Sequence, residues 1–305
     1  MFRVSSEIAA RRHVDLRWRA GLVIAARLLG PDRRATLDIG AQIDGLLASE
    51  AAVAIAELRC DCVDPKPVVD ALVAGSARPT IRKLSLGDYR TRMPALDRLW
   101  AKLPGLRELE LFGPGVEPGG LVDVASRLTR LRLCCELDPR PLALFEGSPL
   151  PRLRALELRL GGDEYFSSTH AEPGTAGDHG LDTARLRSDA RFRLSAAGFR
   201  LSAAGLGRTG ELLARLLDGE VTPGLEHLAI AGVAFADQLI AALADSPLLK
   251  RLRSLDLSDS RFAPHRRSLQ ELDIGGLRLT VRGSDLGPEQ LEPARAQFGD
   301  RLRTG

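Results

Sequence analysis

LEHLAIAGVAFADQLIAALADSPLLKRLRSLDLS, residues 225–258, holds one whole structural unit and the start of the next. Leu225, Leu228 and Ile230 form an LxxLxL element, and Leu252, Leu255 and Leu257 repeat it 27 residues later. Side chains two apart on a strand point the same way, so Leu228 and Ile230 face a core while Ala229 faces away from it. Between the two elements Leu239, Ile240 and Leu243 fall at helical spacing, and Asp245, Ser246 and Pro247 stop the helix. A unit of strand, turn, helix and turn cannot bury its leucines alone. It must stack on copies of itself.

The copies run towards the N-terminus. Ile55, Leu58 and Cys60 form a triplet, followed by those beginning at Ile81, Leu106, Leu128 and Leu153, at spacings of 22–26 residues. The segments between them have helical faces: Leu96, Leu99, Trp100 and Leu103 fall at i, i+3, i+4 and i+7, as do Leu121, Val124, Ala125 and Leu128. At that spacing Trp100 is a core residue. A weaker first unit is read in TLDIG, with Leu37 and Ile39 on a strand and Ile43, Leu46 and Leu47 on the helix after it. The last triplet, Leu269, Leu272 and Ile274, follows its predecessor by only 17 residues and implies a shortened unit.

Three segments lack the repeat. Residues 161–185 are rich in Gly, Ser, Thr and acidic residues without apolar periodicity, and read as a disordered surface insertion. After it Phe192 and Leu194 resume a strand, and Leu212, Leu213, Leu216 and Leu217 a helix; RLSAAGF from Arg193 recurs at once as RLSAAGL from Arg200, a local duplication. Residues 1–33, with Val14, Leu16, Trp18, Leu22, Val23 and Leu28 among arginines, predict an amphipathic helical cap on one open end. Residues 283–305 predict another, with Leu291, Phe298 and Leu302 on one helical face. Residues 34–282 between them are the repeat body.

These units, with SPLPRLRALEL from Ser148 and SPLLKRLRSLDLS from Ser246, resemble bacterial leucine-rich-repeat proteins of the ribonuclease-inhibitor-like type. The resemblance implies an α/β solenoid with parallel strands on the concave face and helices on the convex face, and binding of other macromolecules. One position departs from the family. Where Asn or Cys usually stands three residues after the last strand leucine, this chain has Tyr89, Pro114, Glu136, Gly161, Val233 and Ser260, so the turn backbone must find other partners.

The composition is 44% hydrophobic but only 4% aromatic, which suits stacked aliphatic layers. Basic and acidic residues number 43 and 40, too even a balance to require a nucleic-acid or membrane partner. All the basic residues but Lys66, Lys83, Lys102 and Lys250 are arginine, which reads as coding bias. The longest early apolar run, residues 21–26, meets Arg27 at once and is no signal or span, so the expected location is the cytoplasm. Cys60, Cys62, Cys134 and Cys135 are too scattered for a zinc site, with Cys60 and Cys135 facing inward and Cys134 outward. His170 and His179 belong to the polar insertion. No GxSxG, HExxH or phosphate-loop motif occurs, so neither an enzyme, a cofactor, a metal nor a small-molecule substrate is expected.

The remaining function is a non-catalytic protein-interaction scaffold. The outward strand positions expected to meet the partner are Glu57, Arg59, Glu108, Glu110, Arg132, Glu157, His227, Asp256, Glu271 and Asp273. With Asp38, Lys83 and Arg130 counted too, acidic residues outnumber basic ones by four, which predicts a protein partner with a basic patch. The alternative is a nucleic-acid-binding solenoid that uses arginines of the convex face or the loops.

Overall fold

The computed structural model describes residues 14–28, 38–61, 63–88, 91–117, 119–134, 142–147, 149–160, 203–233, 235–263, 268–272 and 275–304. Residues 161–185, Leu37, Ile274, Phe192 and Leu194 lie outside this set, and so do the expectations attached to them.

One sheet of eleven strands runs through the molecule in chain order: β1 (Val14–Arg19), β2 (Leu22–Leu28), β3 (Glu57–Asp61), β4 (Lys83–Gly87), β5 (Glu108–Phe112), β6 (Arg130–Cys134), β7 (Ala155–Arg159), β8 (His227–Ala231), β9 (Ser254–Asp256), β10 (Arg278–Thr280) and β11 (Leu302–Arg303). The first pair is antiparallel and every later pair is parallel. This is one long, mostly parallel sheet with helices, an arrangement that fits a repeat solenoid.

The register follows the leucines. Leu58, Leu84, Leu109, Leu131, Leu156, Leu228, Leu255, Leu279 and Leu302 are direct neighbours from strand to strand. All but the last are at most 2% exposed. A register slip by one residue would turn the whole column to solvent, and burying each leucine is worth about 1.5–3 kcal/mol. Against this face pack α1 (Ile39–Ala48), α2 (Pro65–Ala74), α3 (Leu99–Lys102), α4 (Gly119–Ala125), α5 (Ala203–Asp218), α6 (Ala236–Ala244) and α7 (Pro288–Phe298). Trp100 is buried as expected, and its indole N–H donates to the Gly120 carbonyl.

Both termini differ from the helical caps read in the sequence. Residues 14–28 form a β-hairpin whose two-residue turn, Ala20 and Gly21, has φ of 50° and 80°. Two successive left-handed residues make the tight turn whose twist matches paired strands. Alternation explains the rest: Val14 and Leu16 lean on the core, while Asp15, Arg17 and Arg19 keep the outer edge charged and unattractive to another strand. At the other end α7 does bury Phe298, but Leu302 leaves the helix and sits on β11, which extends the sheet.

Two triplets lie outside the strands that their pattern predicts. Ile39 opens α1 rather than a strand, because the Asp38 carboxylate accepts from the Ala41 N–H at 2.9 Å and caps the helix. Leu269 and Leu272 lie in a 3-10 turn, Ser268–Leu272, since their spacing of three also satisfies a helical face. The true strand is β10, where Arg278 stands beside Ser254, so the unit is not shortened.

The turns after the strands use backbone and serine rather than the asparagine of the repeats that the sequence resembles. Gly113, at φ 112°, donates to the Cys134 carbonyl at 3.0 Å, and a Cβ there would lie 2.2 Å from the Asp88 oxygen. Near the C-terminus the Val233 N–H donates to Ser260 Oγ at 3.3 Å and the Ser260 N–H to Ser284 Oγ at 3.2 Å. The loops before the strands carry a second recurring tie, in which a cation donates to the carbonyl that ends the preceding unit's helix. Lys102 Nζ reaches the Gly75 oxygen at 2.7 Å, Arg127 the Trp100 oxygen at 2.9 Å and Arg251 the Gly219 oxygen at 3.0 Å, while Arg78 donates to the Leu47 carbonyl. Positive charge suits a helix C-terminus, so part of the arginine excess has a structural use.

Candidate interaction face

The helices cover one face of the sheet. The other face displays the alternate strand residues, and no described helix packs on it. Glu57, Arg59, Glu108, Glu110, Arg132, Glu157, His227 and Asp256 all stand on this open face, as the sequence predicts. Glu271 does not: it is exposed on the 3-10 turn in the helix layer. Asp273 lies outside the described residues.

Sequence reading missed the order among these charges. A continuous chain of opposite charges crosses seven strands: Arg17 to Glu57 at 3.2 Å, Glu57 to Lys83 at 3.4 Å, Lys83 to Glu110 at 3.5 Å, Glu110 to Arg132 at 4.0 Å, Arg132 to Glu157 at 3.1 Å and Glu157 to Arg159 at 2.6 Å. Beside it, Asp61 takes Arg27 at 3.5 Å and Arg59 at 3.4 Å. Opposite charges on adjacent strands attract by roughly 0.2–1 kcal/mol per pair. The chain is also partly dry, for the Glu110 side chain is only 6% exposed between its two cations. Arg132 lies over the Phe112 ring at 5.3 Å, and Phe112 with Cys134 forms a small apolar cluster separate from the main core.

This corrects the sign of the face. Asp38 caps a helix and Glu271 leaves the sheet, while the β2 and β10 strands add Arg27 and Arg278. In the two rows of strand positions Arg17, Arg27, Arg59, Lys83, Arg130, Arg132, Arg278 and Arg303 now stand against Asp15, Glu57, Glu108, Glu110, Glu157 and Asp256. The expected acidic excess is gone, and the face is a mosaic of alternating sign. The signal for Arg17 and Arg27 was present in the two-residue spacing of residues 14–28.

Past β7 the character changes. Ala229, Ala231 and Ser254, with Ala155 at the start of β7 beside them, are small, so the open face there is shallow. His227 Nδ1 meets Ser254 Oγ at 2.8 Å, an encounter not visible in the sequence. A serine beside a histidine is the start of a nucleophile site, but it also needs a group to orient the ring and converging N–H donors for an oxyanion. Neither is seen at this pair among the described residues, and the neighbouring strand amides are engaged in the ladder. A depression of about 250 Å³ at the other end is lined by Asp15, Arg17, Arg27, Glu57 and Arg59 among others, three cations against two carboxylates.

Of the cysteines, Cys60 is fully buried in the core, as expected. Cys134 is on the outward side but buried rather than exposed, because Phe112 covers it. Burial, the largest effect, pushes the Cys134 thiol up to about 11, with Arg132 acting in the opposite direction. Burial pushes the Cys60 thiol higher still. Cys62 and Cys135 lie outside the described residues. Among the described residues no group of three His, Cys, Asp or Glu side chains is placed to hold a metal ion, and no helix is long and apolar enough to cross a membrane.

No protein-family model matches the chain, and no curated protein matches it in sequence. Among solved structures, the chain is similar to a Bacteroides fragilis protein whose crystal structure was determined as a structural-genomics target. The two share 15% identity with a TM-score of 0.59, over 91% of this chain and 74% of the other. At that identity the likeness concerns the fold alone.

Proposed function

We propose that this chain is a leucine-rich-repeat solenoid of the ribonuclease-inhibitor-like type, acting in the cytoplasm as a non-catalytic scaffold that binds another protein on its concave strand face. The carrying observation is the alternating chain of ion pairs from Arg17 to Arg159 on a face that no described helix covers. A mosaic of held charges supplies little net field, so it does not pull in a polyanion; it rewards a partner whose own charges match it position by position and penalises one that does not. The partner this favours is a folded protein surface of mixed charge, with the shallow region over Ala155 and Ala229 leaving room for its bulk. Buried thiols such as Cys60 and Cys134 are at home in a reducing compartment.

The test combines Glu108→Lys with Ala229→Trp. Neither position belongs to the ion-pair chain, so the fold should survive while the face changes in both charge and shape. Affinity capture from the native cell, read by mass spectrometry, should lose one or more proteins held by the parent chain. A helix-face control, Val122→Ser, should retain them. Equal capture by all three chains would refute the concave-face reading.

A further inference from the structure

The loops that lead into β4, β5, β6 and β7 form one edge of the sheet, and their charges are all of one sign. They carry Arg78, Arg82, Arg107, Arg127, Arg152 and Arg154, with Lys102 closing α3 just before them, and no acidic residue in residues 75–82, 103–107, 126–129 or 147–154; at the strand starts beyond them Arg130 on β6 stands beside Glu108 on β5. The backbone places them side by side: the Arg107 N–H donates to the Arg82 carbonyl at 2.8 Å, the Thr129 N–H to the Arg107 carbonyl at 2.7 Å and the Arg154 N–H to the Thr129 carbonyl at 2.8 Å. Neighbouring strands lie about 4.8 Å apart, so Arg82 and Arg154 are about 14 Å from each other.

These cations form two tiers. Arg78, Lys102 and Arg127 are partly buried and hold helix ends. Their charge stays behind the surface, and the Arg127 guanidinium is pushed down by burial first and then by Arg107 beside it, against which Asp123 is a weaker pull. In front, Arg82, Arg130, Arg152 and Arg154 are exposed. Arg82 and Arg154 spend one nitrogen each on the Gly105 and Gly224 carbonyls, at 3.3 and 3.1 Å, which steadies the side chain and leaves other donors of the five to point outwards. Only Arg154 has an ion pair, with Glu226 at 3.5 Å, and Arg130 and Arg152 have none among the described residues.

From this edge we infer a second binding surface, which takes the phosphate backbone of double-stranded nucleic acid without reading its sequence. Three features select that partner. Protein interfaces have an apolar centre with aromatic residues, whereas nucleic-acid interfaces are far more positive and polar. Among the described residues the exposed large hydrophobic side chains, Trp18, Leu22, Val53 and Val122, all lie outside the four loops. Single strands are held by stacking bases on aromatic rings, and the described residues of these loops include none, so a duplex backbone is favoured over a single strand. The dimension also fits, for about 14 Å along one duplex strand covers roughly four phosphates, and guanidinium groups match phosphate with paired hydrogen bonds.

The experiment is fluorescence anisotropy of a labelled 20-base-pair DNA duplex titrated with the full chain. With about four phosphates neutralised, raising salt from about 50 to about 200 mM should weaken binding roughly 100-fold. Replacing Arg130 and Arg152 by Gln, whose side chains make no bond among the described residues, should weaken binding at about 50 mM salt and lower the slope of log affinity against log salt by about two. Arg261→Gln with Arg282→Gln, exposed cations elsewhere, should change neither. The concave variant Ala229→Trp alone, on β8 and away from these loops, should still bind the duplex, so this surface and the scaffold reading can fail separately. No binding at about 50 mM salt, an unchanged slope in the Arg130 and Arg152 variant, or a 15-residue polyglutamate peptide bound as tightly as the duplex would each overturn the inference, the last in favour of an acidic protein segment.

Discussion

Glu110→Gln tests whether the charge chain contributes to stability as a connected unit. The substitution keeps the volume and removes only the charge, so it opens no cavity. The carboxylate is 6% exposed and has Lys83 at 3.5 Å and Arg132 at 4.0 Å. Stripping one partner from a fully buried pair costs about 3–5 kcal/mol, but that figure does not apply here. Lys83 keeps Glu57 at 3.4 Å, Arg132 keeps Glu157 at 3.1 Å, and both cations are about a quarter exposed. Two cross-strand pairs at roughly 0.2–1 kcal/mol each give an expected loss of about 0.5–2 kcal/mol. In a chain of this length that lowers the midpoint of thermal unfolding by about 1–4 °C, measurable by calorimetry. A double-mutant cycle with Lys83→Met should yield a coupling of about 0.5–1 kcal/mol, and one with the unbonded Glu108→Gln should yield about zero. Equal couplings in the two cycles would show that the chain of charges is a crystal-like arrangement without energetic connection, and the reasoning would fail.

Leu131→Ala should destabilise by about 2–5 kcal/mol in urea unfolding, since the residue fills the leucine column, whereas Glu108→Gln should change stability by less than about 0.5 kcal/mol. Gly21→Val forces a β-branched residue into left-handed backbone at φ 80°, so hydrogen exchange in β1 should accelerate while β4 to β6 stay protected. In a background carrying Cys62→Ala and Cys135→Ala, the thiols of Cys60 and Cys134 should react with a thiol reagent at pH 8 only once the chain unfolds. For Cys134 the folded state holds the proton up to about pH 11 while the unfolded thiol releases it from about pH 8.5. Its contribution to stability is therefore present below that range and lost as pH rises through it. Cys134→Ala should flatten this alkaline loss in urea titrations.

The repeat was legible because its signal is redundant: a leucine at the fourth position of each triplet recurs from Leu58 to Leu255, and only one register buries them all. The errors fall where the chain offers a single short pattern. Val14, Leu16 and Trp18 with interspersed arginines satisfy a helix face as readily as a strand, and the Ala20–Gly21 turn decides between them. Leu269 and Leu272 fit either a strand triplet or a helical turn. Asp38 looks like a strand residue until its cap on Ala41 is seen. Those local errors propagated to the candidate face, where each misplaced residue shifted the tally by one charge and together they removed the acidic excess. The positions from Glu57 to Glu157 were right, but their pairing depends on side-chain reach across strands, which spacing along one chain cannot express. The arginines read as coding bias in the sequence for a similar reason: their alignment on one edge exists only after the strands are stacked.

The ties from Lys102 to Gly75, Arg127 to Trp100 and Arg251 to Gly219 all point the same way, from a later unit back to an earlier one. The array therefore has a direction. Each of these helix ends is sealed by chain that emerges from the ribosome after it, so growth from the N-terminus completes such a layer as it lays down the next. Shortening the protein from its C-terminal side strips the seal from the last helix retained, whereas shortening it from the N-terminal side removes seals together with the helices they served. Two truncated chains of equal length, one from each side, would carry different numbers of exposed helix ends, and a designer extending this array would add units at the C-terminal side, where every addition finishes what precedes it.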